Sequence, residues 1–208
     1  MTKVLIIDSA ATGGASVSHK LTNDLADRLV ARDPATRIVR RDVGATPVPH
    51  LTADTVGAIR GVADNDAARV TLALSDALIA EVQDADIVVI GAPMYNFGMA
   101  STLKTWFDHV LRAGITFRYT EAGPEGLVKG KKAIVVETRA GVYSEGPAAP
   151  MDNQEPHIRT LLGFMGIEDV TFIRAERLAF GPDAASAAIA EAVEQLDRVA
   201  ERELALAA

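Results

Sequence analysis

The sequence predicts an α/β fold: a doubly wound, five-stranded parallel sheet with helices on both faces. Three observations lead there. Short runs rich in Val and Ile recur along the chain, and stretches with apolar residues at three- and four-residue spacing separate them. Three of the runs, KVLIID, DIVVIG and KAIVVE, are apolar nearly throughout, as strands covered on both faces of a parallel sheet are.

Taken in order, the first strand is expected over Lys3 to Asp8, followed by a helix from Ser18 to Arg32 with Leu21, Leu25 and Leu29 on one stripe. Arg37 to Asp42 supplies a second strand. Asn65 to Gln83 follows as a helix carrying Val70, Leu74, Ala77, Leu78 and Val82. Asp86 to Gly91 is the third strand. The next helix runs from about Ala100 to Arg112, with Leu103, Phe107, Val110 and Leu111, and Trp106 is expected in the core or at an interface. Lys132 to Glu137 and Val170 to Ala175 are the last strands, with a helix from about Glu155 to Phe164 between them and an Ala-rich one from about Ala184 to Leu206 after them. Strands that alternate with helices imply right-handed crossovers. With five strands the natural order is the flavodoxin-like 2-1-3-4-5.

In that order the carboxyl ends of strands one and three face a crevice where the winding reverses, and ligands bind there. The turn after strand one, SAATGGAS, is rich in hydroxyls and glycine. It matches neither G-x-G-x-x-G nor a P-loop, and taken alone it reads as an ordinary turn capped by Ser16 or Ser18 rather than as an anion cradle at a helix start. Beside it lies the turn after strand three, APMYNFGM, with the apolar faces and hydrogen-bonding groups of Met94, Tyr95, Asn96 and Phe97. The turn after strand four, TRAGVYSEG, borders the same crevice. A flat heteroaromatic ring on a phosphate tail suits these surfaces.

Composition excludes several functions. The 208 residues suit one domain, read as 1–208, and a formal charge of −7 gives no electrostatic support for nucleic acid. Cysteine is absent, so there is no thiol nucleophile and no thiolate metal site. His19, His50, His109 and His157 lack metal-ligand spacing and are expected to be ordinary surface or helix residues, leaving no metal site in the reading. MTKVLIID is too short for a signal peptide or a membrane span, so a cytoplasmic protein with no membrane partner is expected. Two long connections, Pro47 to Asn65 and Ala113 to Gly130, exceed what a minimal sheet needs, as functional or interface loops do.

The stretch APMYNFGMASTLKTWFDHVLRAGITFRYTEAGPEGLVKGKKAIVV, together with LLGFMGIEDV and the N-terminal KVLIIDS, resembles the FMN-dependent NADH-azoreductases, flavodoxin-like homodimeric reductases of quinones and azo compounds. The resemblance covers nearly the whole chain. It implies that Ser9, Ser16, Val17 and Ser18 form the phosphate and ribityl loop, that Met94, Tyr95, Asn96 and Phe97 line the isoalloxazine ring, and that Thr138, Arg139, Ala140 and Gly141 lie on its far side. Two departures stand out: Ala10 replaces a serine usual in the family, and Thr138-Arg139-Ala140-Gly141 stands where Ser-Arg-Gly-Gly is usual. Ala140 adds a methyl group, which would clash if its backbone needed positive φ.

Residue type alone makes Arg60, in VGAIRG, a solvated surface charge, and makes Tyr119 and Phe164 packing residues. The resemblance places Arg60 near the outer face of the flavin and makes Tyr119 and Phe164 walls of the substrate pocket. Phe117, Tyr119 and Leu127 read as exposed apolar groups serving a homodimer interface. The function implied is an FMN-dependent NADH:quinone oxidoreductase, or azoreductase, with tightly bound FMN, NADH as donor and NADPH as an alternative. Quinones and aromatic azo compounds are its acceptors, reduced by two-electron ping-pong transfer. No side chain is assigned a catalytic role, because N5 of the flavin carries the chemistry. The competing reading is a flavodoxin-type electron carrier without NADH reactivity. A phosphorylated receiver is weaker, since strand three ends in Gly91-Ala92-Pro93 rather than in an aspartate.

Overall fold

The computed structural model describes residues 1–205, and the predicted end of the last helix at Leu206 lies outside them. The strands are β1 (Lys3–Asp8), β2 (Arg37–Asp42), β3 (Ile87–Tyr95), β4 (Gly98–Met99), β5 (Phe117–Thr120), β6 (Gly123–Gly126), β7 (Lys132–Thr138) and β8 (Asp169–Ala175). The helices are α1 (Val17–Arg32), α2 (Asp66–Asp84), α3 (Ser101–Val110), α4 (Glu155–Met165) and α5 (Pro182–Ala205). The main sheet runs β2-β1-β3-β7-β8, parallel throughout, with β4 paired antiparallel to β3; β5 and β6 form a separate hairpin. A sheet of five strands is thus corrected to six. The extra strand arises because β3 runs on past Gly91 to Tyr95 and the chain folds straight back at Asn96-Phe97.

Side-chain alternation in the central strands builds two cores. Val4 and Ile6 of β1, Ile87 and Val89 of β3, and Ile134 and Val136 of β7 pack with Leu21, Leu25 and Leu29 of α1 and Leu196 of α5. Leu5 and Ile7, Val88 and Ile90, and Val135 point the other way, onto Leu78 of α2, Trp106 and Phe107 of α3, and Leu162 of α4. Fully burying a side chain of this size contributes about 1.5–3 kcal/mol, so these strands hold the fold. Edge strand β2, RIVRRD, is only half-buried, and its charged residues fit that place. Among the described residues no helix is long and apolar enough to cross a membrane.

Local chemistry sets the helix ends. Asn65 caps α2, its side chain accepting the Ala68 N–H at 2.8 Å. Gly166, at φ 99°, ends α4 in a left-handed turn. That end is also a docking point, because a Cβ on Gly126 of β6 would lie 2.2 Å from the Gly166 nitrogen. Only a glycine at each position lets the β5–β6 hairpin sit against α4, and the Val128 N–H then bonds the Met165 carbonyl at 2.8 Å.

The residues linking β2 to α2 are pinned to α3 by His109. This residue is buried rather than superficial: its Nε2 lies 2.9 Å from the Pro49 carbonyl oxygen and its Nδ1 has no partner. Burial lowers its pKa, partly opposed by the Pro49 contact. A histidine whose folded pKa is depressed gives stability that is present above about pH 6.5 and lost as pH falls through the folded value. Between pH 7 and pH 5, urea unfolding should therefore show the wild type losing stability that a His109→Leu variant retains. Parallel losses in the two proteins would show that His109 carries no such burden.

Candidate functional site

The carboxyl ends of β1, β3 and β7 lie side by side, and the segments that follow β1 and β3 border a cleft of about 320 Å³ lined by Ser9, Ala11, Tyr95, Asn96, Met99 and Thr102, among others; the loop after β7 is not part of that lining. The loop after β1 is anchored from below. Ser9 is buried, and its Oγ donates to the Gly91 carbonyl at 2.7 Å, joining β1 to β3. Ser16 occupies the cap position of α1, yet its side chain caps nothing; its Oγ lies 2.9 Å from that of buried Ser18. The N–H groups of Val17, Ser18 and His19 have no partner among the described residues. An uncapped helix start with its donors free is a site for an anion such as phosphate.

The tip after β3 is built differently. Asn96 and Phe97 make the two-residue turn between β3 and β4, at φ 47° and 68°. Both residues of such a turn need positive φ, which glycine adopts readily and phenylalanine only under strain. The turn leaves Tyr95, Asn96 and Phe97 exposed and Met94 half-buried. The Asn96 amide is free among the described residues. Tyr95 ties this tip to the first loop, its hydroxyl accepting the Ala11 N–H at 3.1 Å.

In the loop after β7, Thr138 is buried and Arg139 points into the protein. The Arg139 guanidinium lies 2.6 Å from Glu137, 3.0 Å from Asp152 and 3.2 Å from Glu176, and its Nε donates to the Gln154 side chain at 3.1 Å. Its backbone is also engaged, with the Ala175 carbonyl at 2.9 Å and the Leu178 N–H at 3.2 Å. Arg139 therefore supports the loop from behind. The Ala140 and Gly141 carbonyls accept N–H bonds from Ala179 and Arg177, while their own N–H groups have no partner among the described residues. Ala140 is not in positive φ, so its methyl group causes no strain.

Arg60, Tyr119 and Phe164 are not brought to this cleft within one chain. Arg60 is exposed on a one-turn helix, Ala58–Arg60, without a charged partner among the described residues. Phe164 and the hairpin stand at the far end of α4, about 15 Å along the helix from Gln154, whose Nε2 bonds the Ala92 carbonyl beside the cleft at 2.8 Å. Phe117, expected to be exposed, is buried, its ring 4.6 Å from that of Phe164 and 5.6 Å from that of Tyr119. Tyr119 is exposed and Leu127 is half-buried.

Sequence reasoning missed three supporting groups. Asp8, at the end of β1, accepts the Thr22 hydroxyl at 2.7 Å and lies 3.4 Å from Arg40 and 3.7 Å from His19; burial raises its pKa against those three contacts. Glu137 ends β7 in the same way. In both cases an acid closing a wholly apolar run was the available signal. Tyr143 gave none: its ring meets Phe97 edge-on at 6.0 Å and packs on Gly141.

The profile of the family described as flavodoxin-like fold matches residues 2–200. The chain is 52% identical over 201 residues to an FMN-dependent NADH:quinone oxidoreductase of Hyphomonas neptunium, covering 97% of each chain. It is also 52% identical over 198 residues to FMN-dependent NADH:quinone oxidoreductase 6 of Burkholderia lata, covering 94% of this chain and 98% of that one. Among solved structures it is similar to an azoreductase from Bacillus anthracis, with a TM-score of 0.87, 30% identity, and coverage of 97% and 100%.

Removing Arg139 would leave Glu137, Asp152 and Glu176 without the cation they share. Breaking a buried pair in this way costs about 3–5 kcal/mol. An Arg139→Met variant should lose stability of that order in urea unfolding. A loss near zero would show that the cluster is solvated.

Proposed function

Because the chain belongs to the flavodoxin-like family and, within it, to the FMN-dependent NADH:quinone oxidoreductases, we propose that FMN occupies this cleft and that the protein passes electron pairs from NADH to quinones and aromatic azo compounds. The observation that carries the reading is the match between the cleft and the cofactor. A free helix start suits one phosphate, and no second glycine-rich turn offers itself to an adenylate. In this reading Ser16, Val17 and Ser18 hold the phosphate and Ser9 fixes the loop. Met94, Tyr95, Asn96 and Phe97 receive the ring, and the Ala140 and Gly141 N–H groups donate to its polar edge, with Thr138 and Arg139 behind them. When bound, FMN supplies the hydride-accepting centre and the two-electron capacity. The chain orients it and excludes water.

An electron carrier without NADH reactivity is not favoured, since relatives spanning nearly the whole chain carry NADH in their names. The protein should purify yellow, release FMN on heating, and bleach when NADH is added without oxygen. Chromatographic recovery of FAD, or no flavin even after reconstitution, would overturn the reading.

Ping-pong transfer is part of the proposal: in this reading the loops after β1, β3 and β7 surround most of the bound ring and leave one face for donor and acceptor in turn. Initial rates against NADH at several fixed quinone concentrations should give parallel double-reciprocal lines. Intersecting lines would require a second binding surface.

A homodimer completes the proposed site. Phe164 at the far end of α4 and Tyr119 on the hairpin beside it stand too far away to wall the cleft of their own chain; in this reading a second copy brings its exposed Tyr119 to it. Arg60, exposed on its short turn, is proposed to border the same opening. Light scattering at low concentration should give twice the chain mass; a fully active monomer would refute the shared site.

A further inference from the structure

We propose that Glu137 and Arg139 are positioning residues: together they form a buried hub that locks the loop after β7, the start of α4 and the end of β3 into one arrangement, and so govern how firmly the cleft retains FMN. This inference rests on the functional reading above and concerns side chains that need not touch the cofactor.

The geometry of the hub joins four segments, β3, β7, the start of α4 and the end of β8. Arg139 reaches Glu137 of β7, Asp152 and Gln154 before α4, and Glu176 after β8. Gln154 extends the connection to the Ala92 carbonyl of β3, two residues before Met94. Glu176 in turn accepts the Tyr143 N–H at 2.8 Å, which fixes the far side of the 138–141 loop. A shift of Gln154 is thereby felt at β3, and a shift of Glu176 at the loop after β7.

Charge balance makes Glu137 the variable member. The cations around it are Arg139, two residues on in the loop after β7, and Arg174 of β8 at 3.8 Å, with Arg159 of α4 farther out, paired with Glu155. The anions are Asp152 before α4, Glu155 of α4, which also binds Arg174, and Glu176 after β8. Three cations face three anions when Glu137 carries a proton. Burial pushes the Glu137 pKa up to about 8, against the pull of Arg139, and one of its carboxyl oxygens, Oε1, has no hydrogen-bond partner among the described residues. Above that pH the hub holds an unbalanced negative charge that repels Asp152 and Glu155 from the start of α4 and opposes an anionic cofactor. FMN therefore binds the protonated form more tightly, and by linkage its affinity falls as pH rises through about 8.

The test is titration of FMN into flavin-free protein, followed by flavin fluorescence, at about pH 6.5 and about pH 9.5. The dissociation constant of the wild type should rise about tenfold across that range beyond any rise in Glu137→Gln, whose affinity at the lower pH should match the wild type within about twofold. FMN's own titration is common to both proteins and cancels. Arg139→Lys, which keeps the charge but not the fork of donors, should bind more weakly at both pH values. Equal pH dependence in wild type and Glu137→Gln, or unchanged affinity in Arg139→Lys, would overturn the proposal. Should Glu137→Gln fail to fold, carbon NMR of the wild-type Glu137 carboxyl decides: titration near pH 8, moving higher with FMN, supports the hub, and titration in the ordinary carboxylate range refutes it. A wild type that binds no FMN at any pH would instead overturn the functional reading, and the hub's role with it.

Discussion

The constraint on which the structure depends is that β1, β3 and β7 are covered on both faces. A strand in that position has room for apolar side chains along its length and for polar ones only where it ends. Asp8 and Glu137 sit at those ends, each buried and each held by a guanidinium. The same constraint leaves the loops beyond these strand ends as the first places where the chain escapes the two cores and its backbone donors come free. The functional chemistry of the molecule is thus confined to a narrow rim by the packing of its middle.

Much of this could be read from the residues. The ranges of β1 and β2 follow directly from the runs KVLIID and RIVRRD, and the parallel order β2-β1-β3-β7-β8 follows from strands alternating with helices. What escaped was set by contacts between distant segments. The β4 strand is two residues long and closes on a turn, Asn96-Phe97, that lacks the glycine usually announcing it. Arg139 looked like a cleft residue because its neighbours are, and its inward direction depends on Asp152 and Glu176, which no local pattern connects to it. His109 likewise offered no clue to its burial, since Pro49 lies sixty residues away in sequence.

The loops differ in how they are kept in place, and the difference suits their surroundings. The loop after β1 hangs from Ser9 below and Tyr95 beside it, and leaves its helix uncapped. The tip after β3 is held by a strained turn that a short antiparallel pairing enforces. The loop after β7 rests on ion pairs. The first and third rely on side chains on the inner side, which leaves backbone donors free on the outer one. An anionic or aromatic ligand then meets groups already oriented, with little left to reorganise.

The contact between Gly126 and Gly166 has a consequence for how such a protein changes over time. It seats the hairpin at the end of α4 by close backbone approach, with Phe117 packed on Phe164 beside it, so that the largely exposed Tyr119 carries little of the attachment. Substitutions at Tyr119 or its neighbours can accumulate without loosening the groups around Asp8 or Arg139. A lineage can therefore vary what reaches the cleft from outside while what the cleft retains stays the same, and the two properties can be inherited, lost or selected separately.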